Sequence, residues 1–501
     1  MLPKATGNWT REEARHLLNR AGFGGSPNEI DEFYALGREK AVESLLVPNE
    51  KMDAFPLPAW VSEQQGLSDM QDRVAQRRDF QEMADGKSAE EVAKLRRDAL
   101  KERQKINRRR AVESQGWWFR RILLTKAPLR EKMTLFWHDH FATSIRKVKQ
   151  PVLMMNQNQL FREQAFGSFY DLTQSIVRDP AMMLYLDIQR SSKTSPNENF
   201  SREVMELFTL GEGNYTEKDV KEAARAFTGF QLNRFNGNVV QNAQTWDAGE
   251  KIIFGKRGKF NGSDVVKLIF KRDACAKLMA NKLWEYFAYE SPADSAVEDL
   301  ARTFREADYQ IKPLLREIFL SKEFYGDKSM ATQIKSPVQY LVQLLKELEM
   351  KGSPTGFPLM GQMQLGQVLF MPPNVAGWDW GKAWINTNTL LTRYNFAGNL
   401  LKGSAGENMK MGAMVDRLRR RTGRGGETRP ELRGIASQEE RRDVEGLVDS
   451  LIKRFFNVPI PSKARASFIE YAEAKKGINF TDRELGELCH LILSTPYYQI
   501  C

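Results

Sequence analysis

The sequence predicts a mainly α-helical protein: one large multi-helix body with glycine- and tryptophan-rich loops and a charged helical projection. Three observations predict it. Capping signatures recur along the chain, a Ser or Thr followed three residues later by Glu or Asp, with Pro at first helical positions and Gly at helix ends. Short β-branched pieces gather in one segment only, after Phe230. Hydrophobic residues make up 41% of 501, with 29 Phe and 10 Trp, enough to bury a sizeable core and to exclude wholesale disorder.

The elements follow in order. In "NWTREEARHLLNRAGFGG", Thr10 is the cap, Glu13 completes a capping box, and Ala14, Leu17, Leu18 and Ala21 form an apolar stripe that Gly22 ends. His16 falls on the polar side of that helix and is expected at the surface. "SPNEIDEFYALG" repeats the grammar with Ser26, Pro27, Glu29 and Gly37. These N-terminal helices occupy 1–55. From Ser68 to Arg110 the chain is dense in charge and sparse in apolar positions, so 56–125 reads as a charged helical hairpin or projection. Its "KERQKINRRR" lacks the interleaved aromatics of a nucleic-acid surface and reads as a solvated face.

Residues 126–400 form the helical core. Pro128 opens the helix of "PLREKMTLFWHDHF". The Gly- and Asn-rich stretch after Phe230 reads as loop or a small hairpin, and helical pattern resumes from Ser263 to about Leu348. After Pro372 and Pro373, the indoles of Trp378, Trp380 and Trp384 cap a compact turn expected to serve as wall or lid. Within 401–437, "RLRRRTGRGGETRPELRG" is a flexible basic connector. The last helices, 438–501, pack on the core, and His490, among Leu488, Leu491 and Ile492, is expected inside it.

A net charge of +11, from 75 basic and 64 acidic side chains, fits a solvated helical surface, with anionic ligands as the alternative. Cys275, Cys489 and Cys501 are too few and too scattered for a disulfide framework. No run approaches the roughly 18 apolar residues of a membrane helix. The N-terminal stretch has no apolar core of a secretory signal, so a cytoplasmic location is expected as written, and export if the chain has been trimmed.

The chemistry concentrates in two places. Two of only four histidines, His138 and His140, flank one aspartate in "FWHDHF". The second place is "SPNENFSREVMELFTLGEGNYTEKDVKEAARAFTGF". Here Ser195, Pro196 and Glu198 read as cap, first position and capping acid, and Gly211 and Gly213 stop the helix before Thr216 and Asp219 start another. Along this first helix Glu198, Asn199, Arg202, Glu203, Glu206 and Thr209 share one face, spanning about 140°, opposite Phe200, Val204, Leu207 and Phe208. A surface helix carries the same stripe, and Arg202 with Glu206 is an ordinary i,i+4 pair. Next to the histidines, however, the face supplies mixed O/N ligands for Zn, Mn or Fe, or a base–acid pair. Helix geometry constrains the histidines: i and i+2 diverge by about 200°, so one ion cannot take both from a continuous helix. Glu131 and His138 share a stripe; His140 joins only if the helix ends near Asp139. HExxH, CxxC pairs, a Walker loop and GxSxG are missing from the sequence.

At "RHLLNRAGFGG", "PLREKMTLFWHDHF", "MLYLDIQRSSKTSPNENFSREVMELFTLGEGNYTEKDVKEAARAFTGF" and "PPNVAGWDWGKAWINTNTLLTR" the sequence resembles, block after block from about residue 8 to 400, the bacterial domain-of-unknown-function 1800 family. "LILSTPYYQ" resembles its closing segment. The resemblance implies no established activity. It implies export for many members, and a genomic neighbour resembling alkaline phosphatases and sulfatases, hence a partner. Relatives often carry His where Phe208 stands ("ELHTLG") and a His-Asp pair near Trp246 and Asp247; here those positions hold Phe and Trp. Lack of an export signal is a third departure.

Three functions are weighed. The first is an enzyme with a composite site, using His138, Glu203, Glu206 and Arg202 for catalysis, His138, His140 and Glu198 for a divalent metal, and Trp378, Trp380, Trp384 and Asn374 as the substrate wall. The second is a non-catalytic scaffold or partner of the sulfatase/phosphatase-like protein, with these residues as a buried polar network. Nucleic-acid binding through the basic segments ranks third.

Overall fold

The computed structural model describes residues 1–48, 55–61, 87–232, 239–350, 352–353, 356–402, 429–457, 459–475 and 480–501, and 64% of them are helical. The mainly α expectation holds. Helix starts are set where the local signals place them. Thr10 Oγ1 accepts the Glu13 N–H and Glu13 returns a bond to the Thr10 N–H, opening α1 (Arg11–Ala21). Ser26 and Glu29 do the same for α2 (Pro27–Leu36), which a tight turn at Gly37 links to α3 (Arg38–Leu46).

His16 is a correction to the surface expectation. It is buried, its ring 4.7 Å from Phe324 and its Nε2 2.8 Å from the Phe324 carbonyl. The amphipathic reading fails because α1 is covered on both sides, every residue from Ala14 to Ala21 being buried. Arg15 and Arg20 escape charge isolation by donating to the carbonyls of Phe456 and Ser329.

Helix α4 (Ala89–Leu124) is 36 residues long, about 54 Å, and starts at a Ser88–Glu91 capping box. Its first half is largely exposed, and only the last turns bury Trp118, Phe119 and Ile122. A second helix of the expected hairpin (62–86) and most of the basic connector (403–428) lie outside the described residues. Helix α5 (Pro128–His140) begins at its proline and is buried from Glu131 to its end. It packs against α1 and α3 as well as against α4 and α6 (Pro151–Glu163). Glu131 fastens α4, α5 and α6 together: it accepts from Arg121 of α4 at 2.7 Å, from Arg162 of α6 at 2.6 Å and from the Trp118 indole at 2.9 Å.

After α7 (Phe169–Ile176) and α8 (Pro180–Tyr185), α9 (Glu198–Glu203) continues into one π-helical turn, Val204–Thr209. Its cap is Asn197, whose Oδ1 accepts the Asn199 N–H, and not the expected Ser195, which is turned back to pair with Ser192. Thr216 and Asp219 cap α10 (Glu217–Ala226) as expected. The segment after Phe230 holds two antiparallel hairpins. Strand β1 (Phe230–Leu232) pairs with β2 (Val239–Gln241), and β3 (Lys251–Ile253) with β4 (Lys256–Gly258).

Helices α11 (Gly262–Ile269), α12 (Asp273–Phe287), α13 (Asp294–Glu306), α14 (Ile311–Leu320) and α15 (Pro337–Glu347) fill the stretch where helical pattern resumes. Then come α16 (Phe357–Leu365), the tryptophan turn, α17 (Thr387–Leu401), α18 (Val444–Phe455), α19 (Ser462–Lys475) and α20 (Asp482–Leu493). His490 corrects the core expectation. It is half-buried at the edge between α17 and α20, its ring tilted against Tyr394 at 4.3 Å and bonded to the Tyr394 carbonyl, because the inward face of α20 is Leu485, Leu488, Cys489 and Ile492. Buried apolar side chains from Leu2 to Tyr498 form one continuous core. Among the described residues no helix is long and apolar enough to cross a membrane.

Candidate functional site

Because α5 is buried all round, the side chains of its last turn enter three different surroundings. His138 stands among rings: Trp118 at 5.4 Å, Phe370 and Trp378 both at 5.7 Å, and Phe161 at 6.3 Å. Its Nε2 meets no hydrogen-bond partner among the described residues. Burial pushes the imidazole down to about 3, so the ring stays neutral. His140 stacks on Phe136 at 5.9 Å, and its Nε2 lies 3.0 Å from the Phe208 carbonyl. A carbonyl only accepts, so Nε2 carries the proton and Nδ1 offers its lone pair to Lys282 Nζ, 3.4 Å away. Burial, then the Lys282 charge, hold His140 well below the usual histidine range.

Asp139, between them, faces the other way. Its Oδ1 accepts the backbone N–H of Trp378 at 2.7 Å, and the nearby Trp380 side chain also favours the ionised carboxyl. Burial pushes the carboxyl up to about 7, against the pull of both groups and of Lys282. The turn that reaches it requires glycine at 377. There φ is +91°, and a β carbon would come within 2.4 Å of Asp139 Oδ1 and 2.7 Å of its carbonyl oxygen. Asn374 shapes the same turn, its Oδ1 accepting the Ala376 N–H at 2.8 Å.

Lys282, on α12, donates to the Leu207 carbonyl at 2.9 Å. Burial lowers its ammonium, an effect partly offset by Asp139 and Glu285. The π turn explains why these carbonyls are available. Leu207 and Phe208 sit at the C-terminal end of their helix, where acceptors have no onward N–H and the helix dipole is negative. The helix first noted for its carboxylates therefore meets "FWHDHF" through backbone oxygens.

Asp139, His140 and Lys282 border a cavity of about 560 Å³, together with Lys132, Glu285, Tyr286, Gln339, Trp378, Trp380 and Trp384. Trp378 and Trp384 are nearly buried, whereas Trp380 is 45% exposed at the mouth. Asn374 supports the turn and is not among the described lining residues, nor is His138. The acidic face of α9 is occupied elsewhere. Arg202 forms a two-pronged pair with Glu217 at 2.6 and 2.7 Å and lies 3.8 Å from Glu198, Glu206 accepts the Tyr215 hydroxyl, and Glu203 is half-buried with a carboxyl raised by burial and by Glu206. None of these four is among the described lining residues. Among the described residues no group of three or more His, Cys, Asp or Glu is arranged to hold a metal ion, so His138, His140 and Glu198 are not drawn into one ligand set. Phe208, where the resemblance leads one to look for histidine, puts an apolar ring 6.0 Å from His140. Trp246 lies over Lys251, and its neighbour Asp247 pairs with Arg225 at 2.7 Å.

Sequence reasoning passed over Asp139 and Lys282. Asp139 carried a signal, a carboxylate in an otherwise aromatic run, but the rarer histidines drew the attention. Lys282 carried a fainter one, a cation set in the apolar surroundings of "MANKLWEYF".

The model of the family described as "Protein of unknown function (DUF1800)" matches residues 16–500, and the chain belongs to that family. No curated protein and no solved structure matches it.

Proposed function

We propose that this family member is an enzyme performing general acid–base chemistry on a polar small molecule held in the cavity at the end of α5. In this reading Asp139 transfers the proton, and Lys282, which donates to the Leu207 carbonyl and faces His140, offsets charge that develops on a substrate oxygen during the transfer. The observation that carries it is a buried carboxyl opening onto a cavity and pushed up to about 7, where protonated and ionised forms coexist at neutral pH. His138, with Glu203, Glu206 and Arg202, is not carried forward: its ring is enclosed by aromatics, while Arg202 and Glu206 are engaged with Glu217 and Tyr215.

The test compares wild type with D139N on chromogenic esters, glycosides and phosphate esters from pH 5 to 9. Turnover of at least one substrate, with a rate limb near pH 7 that D139N abolishes while its circular dichroism is unchanged, is the expected result. Equal rates in both proteins, or no turnover at all, would sink the reading. A second reading, a scaffold for a sulfatase- or phosphatase-like partner, is favoured by one feature. Leu390, Leu391 and Tyr394 of α17 are 43%, 58% and 47% exposed, side chains that a partner would cover. Co-purification with the neighbouring gene product, lost on L391D, would support it.

A further inference from the structure

We infer that the ligand of the Asp139 cavity is a saccharide, its pyranose ring stacked on the Trp380 indole and its hydroxyls shared between the carboxylates of the rim and the amides of the interior. The inference rests on the preceding reading for its place and adds the substrate class. Trp380 is the starting point. Nearly half exposed, it also meets the buried Tyr286 in a T-shaped contact at 4.8 Å and 75°. An indole left uncovered on a cavity rim offers an electron-rich face, which attracts the slightly positive C–H bonds of a sugar ring.

The surrounding groups suit hydroxyls. Glu290 lies against Gly381, the residue after Trp380, where a β carbon would come within 2.5 Å of its Oε1, so a carboxylate stands at the rim, and Asp379 borders the cavity as well. Inside, Gln333 and Gln367 each engage the backbone with one end of the amide. The Gln333 Nε2 reaches the Glu285 carbonyl at 2.8 Å, and the Gln367 Oε1 takes the Val338 N–H at 3.0 Å. Among the described residues the other end of each amide meets no partner, which leaves it open to a ligand. Carboxylates and amides meet vicinal hydroxyls as paired acceptors and donors.

Other ligand classes fit less well. Four carboxylates, Asp139, Asp379, Glu285 and Glu290, face two cations, Lys132 and Lys282, and both cations already donate, to Gln339 and Leu207. A phosphate ester or nucleotide would meet repulsion. A quaternary ammonium seeks several aromatic faces at once. Here Trp378 and Trp384 are 4% and 6% exposed, so a single face is offered.

Isothermal titration calorimetry at pH 7 tests this with glucose, galactose, N-acetylglucosamine, glucuronate and cellobiose, and with choline and AMP as the competing classes. At least one saccharide should bind saturably, with affinity lowered roughly tenfold or more in W380A and in E290Q, and by about threefold or less in D139N. E290Q keeps the question decidable if W380A fails to fold. Binding of no saccharide, of choline or AMP in preference, or of a saccharide with W380A and E290Q both like wild type, overturns the inference. The two readings fail separately. Sugar binding with D139N turnover equal to wild type defeats the acid–base reading alone, and D139N-dependent turnover without sugar binding defeats this one alone.

Discussion

Asp139 borders the cavity from the last turn of α5, between His138 and His140. Its neighbours stood out by rarity, yet both imidazoles are kept neutral by burial and tied into packing, and the carboxyl between them faces the cavity. Nothing within six residues of sequence says which side of a helix end will be left open; that depends on the turn at Gly377, 238 residues away. The raised carboxyl has a consequence for stability. The folded chain holds the Asp139 proton up to about pH 7, whereas the unfolded chain releases it near 3.8. Stability from this group therefore falls as pH rises through that window, and the penalty is complete above 7. D139N removes it. We expect D139N to be more stable than wild type by about 1–3 kcal/mol at pH 8, with the difference vanishing toward pH 4. Urea melts at pH 4, 5.5, 7 and 8 check this, and a difference that stays constant with pH would refute it.

At the scale of elements, what is local was legible. The caps at Thr10, Ser26 and Thr216, the proline start of α5 and the glycine ends depend on a few adjacent residues, and they stand where the sequence placed them. What depends on distant partners was not. Ser195 lost its cap to Asn197 because the chain turns back to Ser192. The π turn answers to Lys282 and His140, 75 and 68 residues away from the carbonyls that they engage. Glu131 was placed correctly on the stripe of His138, but its role is to clamp α4, α5 and α6 through Arg121 and Arg162. Without it the Arg162 guanidinium, 6% exposed, would keep only the neutral Asn158 and Gln159 as hydrogen-bond partners among the described residues, and Arg121 would lose its bond to α5. E131A is expected to cost about 3–5 kcal/mol, read as a lower urea midpoint with unchanged slope. A second element-scale test lies in the tryptophan turn. G377A must displace the turn from Asp139, so it should destabilise by about 2 kcal/mol or more and lower the Asp139 pKa as the carboxyl becomes wetter. A G377A protein with wild-type stability would show that the turn is not clasped to Asp139.

At the scale of the whole molecule, buried histidines and buried carboxyls titrate against one another. His16, His138 and His140 are held below the ordinary histidine range by burial, so the unfolded chain takes up protons below about pH 6.5 that the folded chain refuses. Stability from these three is lost as pH falls. Asp139 and Asp179, both pushed up to about 7 by burial, act in the opposite sense, since the folded chain keeps protons that the unfolded chain gives up. The buried Glu347, also raised by burial, sides with the aspartates. The balance can be tilted either way by one substitution, each worth up to about one proton, or about 1.4 kcal/mol per pH unit. D139N removes an aspartate that opposes the histidines, so its slope between roughly pH 4.5 and 6.5 should exceed that of wild type by about that amount. His138→Phe removes a histidine from a site already walled by four aromatic rings, so its slope should fall below that of wild type by a similar amount. The order of slopes, D139N above wild type above His138→Phe, is set by the signs of the shifts and not by their size. Urea midpoints at pH 4.5, 5.5 and 6.5 for the three proteins measure it. Any other order would mean that the charges at the end of α5 are solvated in the folded chain, and that the cavity reading built on Asp139 has the wrong residue at its centre.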